Sequence, residues 1–205
     1  MPARLTVGPT EEPVSLDEAK NQLRLETNAD DDRVGALITA ARQYVEERCW
    51  RGLTQQTWEL VLDGFWMPST LELPYTRGRV DSPIKLQMGG LAELAEDAPA
   101  VTSVKYIDEN GVERTLATTE YSIDNVSAPA RILPAFGKSW PSTRRQWDAV
   151  RITYVVGWTI DDIPEPLKQA VLLALTEMYE KRTPEIGEMP AVVALISPYQ
   201  LNQVG

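Results

Sequence analysis

Histidine is missing from the 205-residue chain altogether. With it go the commonest general base, the commonest metal ligand and the middle member of any Ser/His/Asp triad. Cysteine is nearly missing too. Cys49 stands alone, so no intrachain disulfide can form, and its place in a helical pattern reads as a small buried hydrophobe rather than a reactive thiol. No apolar run approaches the roughly 18 residues of a membrane span, so no membrane partner is expected. Basic residues are in deficit, 20 against 30 acidic ones, for a formal net charge of −10. A surface of that sign repels a phosphate backbone over most of its area. Met1 to Thr10 has neither a basic nor an apolar stretch of the secretory kind, so synthesis in the cytoplasm is the expectation.

What is present is ordinary for a soluble globular protein: 43% hydrophobic and 24% charged residues, enough for one core or two small linked ones. Ser15 and Glu18, three residues apart, form a capping box that starts a short helix ending near Leu25, with Val14 stapling onto Ala19. Asp30-Asp31-Asp32 begin a second helix over about 31–51. It carries the stripe Val34, Leu37, Ile38, Ala41, Tyr44 and Val45, and Gly52 is expected as its left-handed terminator. From Leu53 the period shortens to two. Strands are expected at 54–63, 70–73, 101–108, 112–117, 121–124, 131–133 and 149–156. Asn110-Gly111 signals a tight hairpin turn. Tyr75 to Pro99 reads as a long loop with a helical turn at Leu91 to Glu96. A third helix runs from Pro164 to Arg182. The apolar segment Ala191 to Ile196 then lies between Pro190 and Pro198.

These elements predict an α+β fold. The N- and C-terminal segments form a small helical bundle, with an inserted antiparallel β-rich region and an extended C-terminal tail. The expected parts are residues 1–53 for the N-terminal helices, 54–158 for the insertion, 159–183 for the C-terminal helix and 184–205 for an apolar docking tail.

The candidate chemistry is thin. Asp30-Asp31-Asp32 and Asp161-Asp162 are the densest carboxylate clusters, yet neither has calcium-loop spacing and each precedes a helix, where capping and dipole compensation account for it. Arg144-Arg145, with Arg131, Lys138 and Trp140 nearby, is the one basic and aromatic concentration. It fits a solvated or subunit-contact loop better than a nucleic-acid site. Gly89-Gly90 and Gly157 make no phosphate-binding pattern, and no serine has a partnering base. The tryptophans, including Trp58, Trp66, Trp140 and Trp158, read as core of the insertion. No catalytic, cofactor-binding or metal-binding residue is expected.

Two stretches carry a family resemblance. The first is Pro13 through Arg24, followed by Asp31-Asp32 and the helix with Ile38, Ala40, Ala41, Arg42, Tyr44, Val45 and Glu46. The second is Arg151 through Trp158, then Ile163-Pro164, Leu167 through Ala170 and the helix ending Tyr179-Glu180-Lys181-Arg182. In this order they resemble the head–tail connector (adaptor) proteins of long-tailed bacteriophages, with Tyr75 to Pro99 as an expansion. The resemblance implies a non-enzymatic virion subunit of the neck, made in the host bacterial cytoplasm. Such a subunit forms a homo-oligomeric ring, dodecameric by expectation, between the portal protein of the DNA-filled head and the stopper or tail-completion proteins. Genome DNA would pass through the channel without specific binding. Val192, Val193, Leu195, Ile196, Pro198 and Tyr199 are then the candidate portal-docking residues, and the insertion loops the candidates for the tail side. Two alternatives remain beside this reading: another neck component, such as a stopper or tail terminator, and an enzyme working through carboxylates alone.

Overall fold

Ser15 sits in extended conformation ahead of helix α1 (Leu16–Leu23). Its Oγ accepts from the Glu18 N–H at 3.2 Å while Glu18 Oε2 accepts from the Ser15 N–H at 2.7 Å, so the capping box closes in both directions. These bonds from Ser15, the backbone one first, hold the Glu18 carboxyl below its ordinary pKa. The computed structural model describes residues 3–65, 84–86, 100–125, 130–181 and 189–201. The expected strand at 70–73 and nearly all of the Tyr75 to Pro99 stretch, including its helical turn, lie outside the described residues, as does Trp66.

The chain divides into two units: Met1–Gly8 with Gln56–Val156, and Pro9–Gln55 with Gly157–Gly205. The second unit is helical. Helix α2 (Asp31–Cys49) turns Val34, Ile38, Ala41, Val45 and Cys49 inward at spacings of three and four. Helix α3 (Glu165–Glu180) answers with Leu167, Ala170, Val171, Ala174 and Leu175, and Pro166 lies in its first turn, where no amide is needed. The left-handed residue ending α2 is Trp50 (φ 57°), not Gly52. Trp50 and Arg51 both donate backbone N–H to Glu46 O, and the Glu46 carboxylate accepts from the Leu53 N–H at 2.8 Å. This side-chain hold sets where the helix stops and leaves Gly52 beyond the cap.

The C-terminal segment is helical rather than extended. Helix α4 (Pro190–Ile196) is followed by a 3-10 turn (Ser197–Tyr199). Met189, Val192 and Ile196 join the same core as α1, α2 and α3. An uninterrupted apolar run has no polar face of its own to reveal a helix, and burial of the i and i+4 side chains is what selects one here.

The other unit is built from sheets. Strands β1 (Ala3–Val7), β2 (Gln56–Leu62), β4 (Val101–Ile107), β5 (Glu113–Thr115) and β8 (Val150–Val156) form an antiparallel sheet in the order β1-β2-β8-β4-β5. Strands β3 (Ile84–Lys85), β6 (Tyr121–Asp124) and β7 (Arg131–Pro134) form a second, ordered β3-β7-β6. Val150, Ile152, Tyr154 and Val156 alternate inward along β8, and both sheets share one core with Leu60, Leu62, Val104 and Ile132. Trp140 belongs to it, stacked on Phe65 at 4.7 Å, and Trp58 packs against it from a half-buried position. Trp158 does not: it packs on the helical core.

At the β4–β5 hairpin only Gly111 takes a positive φ (82°). The turn is set by Asp108, whose carboxylate accepts from the Asn110 and Val112 N–H groups at 3.0 and 2.9 Å. The Val112 bond above all holds the Asp108 carboxyl below its ordinary pKa, helped by Arg114. Because the folded pKa is depressed, this support is complete above the unfolded value and is lost as pH falls through the folded one. Acid titration followed by amide exchange should therefore show Val112 losing protection in step with Asp108 protonation, and Asp108→Asn should blunt that dependence.

In the helical unit, Thr54 bridges Trp158 in parallel and the Trp158 N–H donates to Leu53 O at 3.1 Å. Gly157 between them has φ 100°, and a Cβ there would collide with the Thr54 carbonyl. Gly157→Ala combines that collision with a left-handed strain of about 1–3 kcal/mol. It should lower the urea midpoint clearly, whereas Gly35→Ala, with open space around it, should not.

Candidate functional site

The C-terminal segment, which carries all six candidate docking residues, is stitched to the end of α2. The Leu201 N–H donates to Cys49 O at 3.1 Å, Gln200 Nε2 to Arg48 O at 3.3 Å, and Arg51 Nε to Tyr199 O at 2.7 Å. Two of these bonds satisfy carbonyls that a helix C-terminus leaves open. The Arg51 guanidinium also lies 5.9 Å from the centre of the Trp158 ring. The six residues therefore divide. Val192 and Ile196 are buried in the chain's own core, Val193, Leu195 and Tyr199 are half-buried, and Pro198 is exposed.

The carboxylate clusters stand at helix starts, as their spacing predicts, but neither caps its helix through a side chain. Asp30 accepts from Tyr179 Oη at 2.9 Å, Asp31 pairs with Lys20 at 2.7 Å, and Asp162 accepts from the Thr159 hydroxyl. Among the described residues no three carboxylate or thiol groups are gathered so as to hold a metal ion. The best-buried ionic group lies elsewhere, and no motif pointed to it. Arg42 donates to Glu12 at 2.8 Å and to Glu46 at 2.6 Å, and Glu46 is also bound to the Leu53 N–H. Every one of these charges has a structural partner, so the network clamps the end of α2 rather than moving protons. The i, i+4 spacing of Arg42 and Glu46 was the visible signal.

The basic concentration separates as well. Arg131 pairs with Asp124, Lys138 with Glu120, and Trp140 is core. Arg144 and Arg145 stay exposed. Two aromatics that no pattern singled out accompany them at the surface: Phe136 and Trp147, with 106% and 86% of their reference exposure.

Residues 13–73 match the family model described as phage gp6-like head-tail connector protein. That span holds α1, α2 and β2, and with them the first of the two stretches that carry the resemblance. Solved structures match over the full length. A chain in the neck of an empty gene transfer agent (GTA) particle computed with C6 symmetry is 21% identical, with a TM-score of 0.75. One in the virion of the native GTA particle is 22% identical (TM-score 0.75), and one in the native neck computed with C12 symmetry is 20% identical (TM-score 0.70). Each match covers 100% of this chain and 98% of the other. No curated protein matches the chain significantly. The mixed helical and antiparallel fold is thus shared with chains of these phage-like particles.

Two outcomes follow from the clamp. Glu46→Ala leaves the buried Arg42 guanidinium with Glu12 alone and the Leu53 N–H without its acceptor, and should cost about 1–3 kcal/mol in denaturant unfolding. Burial also pushes the Cys49 thiol up to about 11. Iodoacetamide at pH 8 should leave the native protein unlabelled and modify it once unfolded; rapid native labelling would contradict the burial.

Proposed function

We propose that the chain is a structural virion subunit that forms a ring in the neck of a phage or phage-like particle. The ring connects the portal vertex of the DNA-filled head to the stopper or tail-completion proteins and lines the DNA channel. The observation that carries this reading is the match over 100% of the chain to neck chains, joined by the connector family model on residues 13–73. Twelve subunits are proposed, a number compatible with both the C12 and the C6 descriptions of the similar necks. The net charge of −10 supports a channel wall that lets DNA slide rather than grips it. Glu12 and Glu46 are held in a structural clamp and Asp30, Asp31 and Asp162 in single pairs, which favours this reading over an enzyme built on carboxylates.

Portal docking is assigned to the C-terminal segment, with its roles divided. Val192 and Ile196 hold α4 on the core, while Val193, Leu195, Pro198 and Tyr199 offer the partly exposed apolar side. Mixing the chain with the portal protein of its own particle should give a ring stacked on the portal in negative-stain images. A bare portal would overturn the reading. Pro198→Asp with Val193→Asp should reduce co-purification with portal by about tenfold or more, since two contacts of about 1 kcal/mol or above are lost per subunit. Ile196→Ala should instead cost about 2–5 kcal/mol of fold stability.

A further inference from the structure

The connection from β7 to β8, residues 135–149, exposes two large aromatic side chains on a backbone that is itself firmly held. Ala135 to Lys138 form a turn closed by the Lys138 N–H to Ala135 O at 2.9 Å, with Gly137 at φ 75° in its third position. That is the type II pattern, and it sets Phe136 on the outer corner. Three residues after Gly137, Trp140 anchors the segment in the core against Phe65. The Arg144 N–H then donates to Ile107 O at 3.1 Å, and the Asp148 N–H to Asp63 Oδ1 at 3.2 Å. Phe136 and Trp147 thus project from a preorganised scaffold, and ordering it on binding costs little.

We propose that this segment is the surface by which one subunit docks onto an acidic face of a second copy of the chain; the inference rests on the ring reading above. Phe136 and Trp147 each expose roughly 150–250 Å² of largely apolar surface on this one segment. Tryptophan and arginine together make the composition of an interface centre. Charge selects the occupant. Arg131 and Lys138 are neutralised within the unit, whereas Arg144 and Arg145 have no carboxylate partner among the described residues. The strip is therefore a basic and aromatic island on a chain of net charge −10. A second copy supplies the complement in its exposed carboxylates ahead of α3, Asp161 and Asp162. A head-to-tail contact needs two different surfaces, one from each copy, and closes into a ring by rotation. Single-stranded nucleic acid would also suit aromatic and arginine side chains, but the acidic balance of the whole subunit opposes it.

The test uses the full chain with p-benzoylphenylalanine in place of Trp147, and separately the variants Phe136→Ser with Trp147→Ser, and Arg145→Glu. Irradiation of the purified protein should give a covalent dimer whose cross-linked peptide is acidic. Sedimentation should show self-association weakened by roughly 30-fold or more in the double serine variant, as expected for two interface anchors. Arg145→Glu should weaken it most at low salt. Neither aromatic belongs to the core, so both variants should keep the wild-type melting temperature. A wild type that stays monomeric at all concentrations, unchanged association in the double variant, or cross-linking to an added oligonucleotide in place of the chain would each overturn the inference. Negative-stain images with portal separate the two readings. If both wild type and double variant form complete rings on the portal, the neck function stands and this contact fails; if neither does, the neck function fails with it.

Discussion

The pairing of β2 with β8 organises the whole chain. Gln56 lies opposite Val156 and Leu62 opposite Val150, so two strands far apart in sequence run antiparallel through the middle of the larger sheet. The segments that leave this pair begin side by side, and there Thr54 bridges Trp158. Helices from the two ends of the sequence thereby come within reach of one another and can bury their apolar stripes in a common core. Neither α2 nor α3 has a partner of sufficient size within its own stretch of sequence. Gly157 is the point where this arrangement tolerates no side chain, because the strand partner's carbonyl fills the space.

Much of this was legible because local chemistry and tertiary demand agree. Ser15 and Glu18 close a capping box in sequence and in space, the alternation along β8 survives intact, and the stripe of α2 faces inward as its spacing requires. The failures have physical causes. Strand β1 is an edge strand exposed on nearly every residue, so it carries no alternation to read. Helix α4 is apolar throughout and short, and only its packing distinguishes helix from extended chain. Trp50 occupies a left-handed position that propensity assigns to glycine, because Glu46 captures the Leu53 amide and fixes the exit of the chain. Hydrophobicity alone does not separate Val192 and Ile196, which are buried in the core, from Pro198 at the surface.

The same distinction bears on function. Cavities and convergent polar groups signal chemistry, but a ring subunit works through surfaces, and a surface leaves only faint marks in a single sequence. Here the chain has no histidine and one buried thiol, and its best-buried carboxylate among the described residues, Glu46, is held by Arg42 and the Leu53 N–H. The acidic balance adds a global property, a field that repels a phosphate backbone.

The discontinuity of both units has a kinetic meaning. During synthesis the first helices emerge early, yet the core they belong to cannot close until α3 has followed the entire sheet region out of the ribosome. Until then α2 holds an apolar stripe with nothing to cover it, and β2 waits for β8. Pairings so distant in sequence carry a large closure entropy before any contact rewards it. Both units can therefore close only late, once β8 and α3 have been made.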